Sequence, residues 1–112
     1  MDGVLLAGFH GLVPGLANAF IEFHVDLACR AKQGDWAGAS DLRGRICALL
    51  DIYMYPIWSG SFNAVVLVAL KEASVLRGLI STSTTSSPFS QADDGLRLHV
   101  ANFLARAKGL AL

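Results

Sequence analysis

The residues best suited to hold a metal ion are His10, His24 and His99, with Glu22 and Asp26 nearby. Their spacings match no known ligand pattern, so no metal site is expected. Cys29 and Cys47 fit neither a metal nor a redox spacing and fall on predicted helices. They read as buried, inert thiols in a reducing, cytoplasmic setting. Ser40-Asp41 and the hydroxyl run from Ser81 to Ser87 contain groups a hydrolase could use. No Gly-x-Ser-x-Gly elbow accompanies them, and the strained turn that would expose a nucleophilic serine is therefore missing. No cofactor-binding motif is present either. The chain carries no complete active site.

The elements that would position these groups are mostly helical. Asp2 to His10 reads as a helix end, with Leu5, Leu6 and Phe9 on one face and Gly11 as its stop. Leu12 to Ala17 is a short apolar run without helical period and predicts a buried strand, weakened by Pro14 and Gly15. Asn18 is placed to cap a helix over about 19–33, with Phe20, Phe23, Leu27 and Ala31 on one face. Asp26 and Arg30 form an i, i+4 pair on its exposed side.

Gly34-Asp35 closes one helix and opens the next. That helix spans about 35–55, with Leu42, Ile46, Leu49 and Tyr53 in a stripe, and ends before Pro56. After a turn at Ser59-Gly60-Ser61, a helix over 62–76 is apolar on nearly every side from Val65 to Leu70 and stops at Gly78. Such a helix must be buried all round, so Val66→Asp or Leu70→Asp is expected to abolish folding. Ser81 to Ser87 is loop chemistry, expected to tolerate substitution. Ser90 with Asp93 resembles a capping box for a last helix over about 90–108 through Leu96, Val100, Phe103 and Leu104, fraying at Gly109.

Composition sharpens the picture. With nine basic and nine acidic residues, the chain has no net field to attract nucleic acid or anionic lipid. Apolar residues make up 54% of it before its 11 glycines are counted, against a typical share of about 45–50% that includes glycine. A small domain has little interior to fill, so the surplus implies burial against further chain or a partner subunit. A membrane is the poorer explanation. The uncharged stretch from Gly3 to Ile21 contains His10, Pro14, Asn18 and four glycines, and no positive n-region precedes it. The strand argues the same way, because one buried strand needs hydrogen-bonding neighbours that this chain does not contain.

Several short motifs, in order, resemble one family. Asp2-Gly3, Leu5-Leu6, Gly8, Gly11, Gly15 and Asn18-Ala19-Phe20-Ile21-Glu22 are similar to the strand-eight region of the dihydrodipicolinate synthase / N-acetylneuraminate lyase family. Gly34-Asp35 with Ala39 and Leu42 resembles a helix start of that family. Asn63, Ala69-Leu70-Lys71 and Gly78 resemble its penultimate helix, and Pro88-Phe89 leads into the closing one. The likeness covers nearly the whole chain but only about the last third of a family member. Ile21 stands where many relatives have Pro, Leu67 where many have a non-catalytic Lys, and the Ser/Thr run replaces a loop that is often basic or Pro-rich.

The resemblance implies a mainly α chain: the C-terminal part of a (β/α)₈ barrel. Residues 1–33 would end the barrel, and 35–112 would form the C-terminal helical region of an enzyme that is usually tetrameric. It also implies class I aldolase chemistry, in which a desolvated lysine forms a Schiff base with pyruvate or another 2-oxo acid and a tyrosine shuttles protons. Both residues lie on earlier strands, outside this chain. Lys32, Lys71 and Lys108 all fall on predicted amphipathic helices, where solvated surface lysines are expected.

By the same resemblance Val13, Pro14 and Gly15 would line the substrate pocket, since the C-terminal ends of barrel strands face the chemistry. Pro14 and Gly15 would then help select the substrate tail; equally, Gly15 would simply let the strand bend. The chain is thus expected to bind a 2-oxo acid only with the full barrel, as a homo-oligomer or joined to the missing barrel part. The alternative is a free-standing helical interaction or oligomerisation module without enzymatic activity, and a peripheral membrane peptide is a third possibility.

Overall fold

The computed structural model describes residues 1–56 and 61–107. Five α-helices account for most of them: α1 (Asp2–Leu6), α2 (Ile21–Lys32), α3 (Trp36–Leu49), α4 (Phe62–Leu76) and α5 (Asp94–Ala107). Gly15–Asn18 and Leu50–Tyr53 are single 3₁₀ turns. The chain divides into two compact units, Met1–Leu49 and Leu50–Leu112. The mainly α class holds, and the described residues contain no strand.

That last point corrects the expectation for 12–17. Leu12 to Pro14 has no regular structure, and Pro14 is the extended residue preceding the Gly15–Asn18 turn. A strand exists only through hydrogen bonds to a neighbouring strand, and without one the chain takes local bonds instead. Here Ala17 N–H donates to Pro14 O at 3.1 Å, and the Asn18 amide donates to Gly15 O at 2.9 Å. Asn18 therefore closes this turn rather than capping α2, whose N-cap is Phe20.

In the first unit, α1 ends at Leu6, and Gly8 with φ +88° takes the chain away before the expected stop at Gly11. Leu6 and Phe9 are consequently exposed. The α2 stripe is buried at Phe23, Leu27 and Ala31, with His24 beside them. The Asp26/Arg30 pair forms, with Arg30 Nε 3.1 Å from the carboxylate, and Arg30 also reaches Asp35 at 3.4 Å. Gly34 adopts φ +77°, and Asp35 Oδ1 accepts from Gly38 N–H at 2.9 Å. The predicted stop and restart is therefore present in detail. Ala39, Leu42, Ile46 and Leu49 form the buried stripe of α3, which packs on α2. The helix expected over 35–55 is α-helical only over Trp36–Leu49; Leu50–Tyr53 tightens to 3₁₀ geometry, with Ile52 and Tyr53 buried.

In the second unit, α4 has the bounds the sequence predicts. Ser61 Oγ accepts from Ala64 N–H at 3.3 Å, and Gly78 with φ +70° ends the helix. The turn expected at Ser59-Gly60-Ser61 lies, apart from Ser61, outside the described residues. More residues of α4 are buried than of any other described helix, but its burial is not all-round. Val65, Val68, Ala69 and Leu70 are buried, whereas Val66 and Leu67 are half-exposed. The helix packs on α5 and on the Leu50–Tyr53 turn, which leaves one edge uncovered within this unit. Ser90 does not cap α5. Asp93 does, accepting from Leu96 N–H at 2.7 Å, so α5 starts later than expected. Position 108 and the fraying at Gly109 lie outside the described residues.

The Ser/Thr run is not a passive loop throughout. Thr85 is buried, and its hydroxyl lies 3.2 Å from both Phe89 O and Ser90 O. The Gln91 amide donates to Thr85 O at 3.1 Å and to its Oγ1 at 3.0 Å. Thr85→Val should keep the volume but strand these partners, lowering stability by about 1–3 kcal/mol. Ser86→Ala, on an exposed neighbour, should stay within about 0.5 kcal/mol of wild type. Urea denaturation of the two variants measures the contrast.

Candidate functional site

Val13, Pro14 and Gly15, expected to line a substrate pocket of the full barrel, have different surroundings within this chain. The Val13 side chain points wholly into solvent, and Gly15 opens the 3₁₀ turn. Pro14 lines a pocket of about 240 Å³ in the first unit. Leu5 of α1, Leu12 of the connecting segment, and Ile21, Val25 and His24 of α2 form much of its wall.

His24 is the one polar side chain lining it. Its position follows from the helix: it sits one turn after Phe20, and Nδ1 lies 2.8 Å from the Phe20 carbonyl. A carbonyl only accepts, so Nδ1 carries a proton and donates it to Phe20 O. Nε2 is buried and has no hydrogen-bond partner among the described residues. Leaving such a group unsatisfied costs about 1–3 kcal/mol. The sequence singles out His24 only as a metal-ligand candidate. Among the described residues, no group of three His, Cys, Asp or Glu side chains could hold a metal ion.

The second unit contains a polar cluster that the sequence reading missed. Glu72 is buried, accepts from Ser83 Oγ at 2.5 Å, and lies 3.6 Å from Arg97 Nε. Its neighbour Lys71 is half-buried rather than freely solvated, and donates to Thr84 O at 2.5 Å. Arg97 in turn reaches Asp94 at 3.3 Å. A signal was available: Glu72 stands at i+4 from Val68 and i+7 from Val65, on the face that the apolar pattern buries. A carboxylate placed there must be paired. The arrangement fastens the Ser/Thr loop to α4 and α5.

Other candidates resolve simply. His99 Nε2 donates to Ile52 O at 3.1 Å, and its ring lies 5.5 Å from that of Tyr55. A Cβ at Gly95 would run into the Tyr55 hydroxyl, so a side chain there would force the phenol to move. Ser40 is exposed and faces Arg43, not a base. The two cysteines are exposed, which corrects their expected burial. Both lie just off the apolar stripes of α2 and α3, where two helices in contact leave an outer face.

The Tyr53 phenol is pushed up to about 12 by desolvation. The folded state then holds its proton over a range in which the unfolded chain, near pKa 10, has lost it. The associated stability is complete below about pH 10 and is lost as pH rises from there to about 12. Ultraviolet phenolate titration of wild type should show a late ionisation, rising towards about pH 12, that Tyr53→Phe lacks.

No helix among the described residues is long and apolar enough to cross a membrane. No family model matches the chain, and no curated protein matches it.

Proposed function

We propose that this chain is the C-terminal part of a cytoplasmic Schiff-base lyase or aldolase acting on a 2-oxo acid, similar to dihydrodipicolinate synthase and N-acetylneuraminate lyase. In this reading it supplies the closing strand region and the C-terminal helices. The lysine that forms the Schiff base and the proton-shuttling tyrosine belong to earlier strands, and the chain alone has no activity.

One observation carries the reading. Gly11, Leu12 and Val13 make no hydrogen bond with any described residue. Exposed Leu6, Phe9, Val13, Ile21 and Val25 lie on and around that segment. Unpaired backbone bordered by apolar side chains is what a barrel strand presents when its two neighbours are elsewhere. Inserted between them, residues 12–17 would gain ladder bonds, and the apolar side chains would lose their contact with water. Burial of that surface against the barrel, or in a homo-oligomer, accounts for the apolar surplus of the composition.

An antibody against residues 94–107 tests the proposal on an extract of the source cells. A band near the size of a whole barrel enzyme, roughly 250 residues or more, is expected. Borohydride with pyruvate should leave a covalent adduct on that polypeptide, at a lysine outside this chain. A band at 11.9 kDa that associates with no barrel polypeptide, or an adduct on Lys32, Lys71 or Lys108, would overturn it.

A further inference from the structure

We infer that Ser90 is a phosphorylation site, modified by a serine kinase that recognises acidic residues on the C-terminal side of its target. The helix-opening pattern of Ser90 and Asp93 is only half used. Asp93 caps α5, and the Ser90 hydroxyl makes no hydrogen bond with any described residue. Ser90 is exposed and stands in the irregular segment ahead of α5. A hydroxyl must enter the cleft of another protein to be phosphorylated, which an exposed irregular segment permits and a helix does not. Thr85 Oγ1 lies 3.2 Å from both Phe89 O and Ser90 O, so the backbone here is held while the Ser90 side chain stays in solvent.

Exposure alone does not single out this serine. Ser86 and Ser87 are also exposed, with hydroxyls that have no partner among the described residues. The charge that follows Ser90 sets it apart, because kinases select substrates by such charge patterns. Asp93 and Asp94 stand three and four residues on, and the Asp94 side chain is 102% exposed. Ser86 has Phe89 and Ser90 at those positions, and Ser87 has Ser90 and Gln91. None of these residues belongs to the apolar face assigned above to the missing barrel, so the site is independent of that reading. In the transfer, the bond between the γ-phosphorus of ATP and the departing ADP breaks and a bond to Ser90 Oγ forms. The hydroxyl proton passes to the kinase's base. The product adds about −1.5 to −2 of charge to a chain whose net charge is zero.

Incubated with a purified acid-directed serine kinase and ATP, the full chain should gain one phosphate, mapped to Ser90 by tandem mass spectrometry. Ser90→Ala should abolish incorporation, and Asp94→Asn should lower its initial rate about tenfold. Protein isolated from the source cells under phosphatase inhibition should carry the same phosphate. Ser86 or Ser87 modified as fast as Ser90, or an unchanged rate for Asp94→Asn, would overturn the inference. So would the lack of phosphate on Ser90 in either the kinase reaction or the isolated protein. Both substitutions fall at exposed positions, and mapping on the native chain decides the matter without them.

Discussion

Val68→Asp is expected to leave the second unit without a cooperative thermal transition, whereas Val66→Asp, two residues earlier on α4, should retain one. Val68 is 0% exposed, in the helix face covered by α5 and the Leu50–Tyr53 turn. Burying such an aliphatic side chain contributes about 1.5–3 kcal/mol, and an unpaired carboxylate in its place costs several more. The sum is comparable with the whole stability of a small domain, about 5–15 kcal/mol. Val66 is half-exposed, so an aspartate there keeps part of its hydration and the loss should be about 1–2 kcal/mol. Leu70→Asp should behave like Val68→Asp, since Leu70 is also buried. Far-UV circular dichroism melts of the three variants measure the difference. Equal melts for Val66→Asp and Val68→Asp would show that the buried face of α4 is wrongly assigned.

The second large effect belongs to the first unit. Phe20→Ala should lower its stability by about 3–5 kcal/mol, the usual loss for truncating a fully buried phenylalanine. Phe20 is 0% exposed and immediately precedes α2, where its carbonyl also holds the His24 ring. Truncation removes the side chain's packing and leaves a cavity beside the helix start. Ile21→Ala, one position along and 53% exposed, should cost no more than about 1 kcal/mol. Urea titrations followed through the amide signals of residues 21–49 resolve the two. Similar midpoints would place Phe20 outside the core.

These contrasts separate what was legible in the sequence from what was not. The bounds of α4, the break at Gly34-Asp35 and the stop at Gly78 depend on interactions within a few residues. A serine or aspartate side chain bonds an amide three positions on, and a glycine supplies a positive φ. Such signals are complete in the local sequence, and the structure has each where it was expected. The stripes Phe23/Leu27/Ala31 and Leu42/Ile46/Leu49 were equally legible, because helical period alone places them on one face.

The remainder depended on partners distant in sequence. Residues 12–17 have strand composition, but a strand is a relation between two segments, and no described residue supplies the second. Val66 and Leu67 are as apolar as Val65 and Val68; only the placement of α5 and the Leu50–Tyr53 turn decides which pair is covered. Thr85 and Ser86 are nearly the same residue chemically, yet Gln91 makes one structural and leaves the other in solvent. Cys29 and Cys47 sit on the helices foreseen for them and point outward, since helix type does not fix which flank meets a neighbour. The sequence by itself determined the bounds of α4 and the break between α2 and α3, through bonds that close within one turn. Only the tertiary structure decided which faces are dry, where His24 is stranded and what holds Glu72, because burial is set by whatever folds back against a residue rather than by the residue itself.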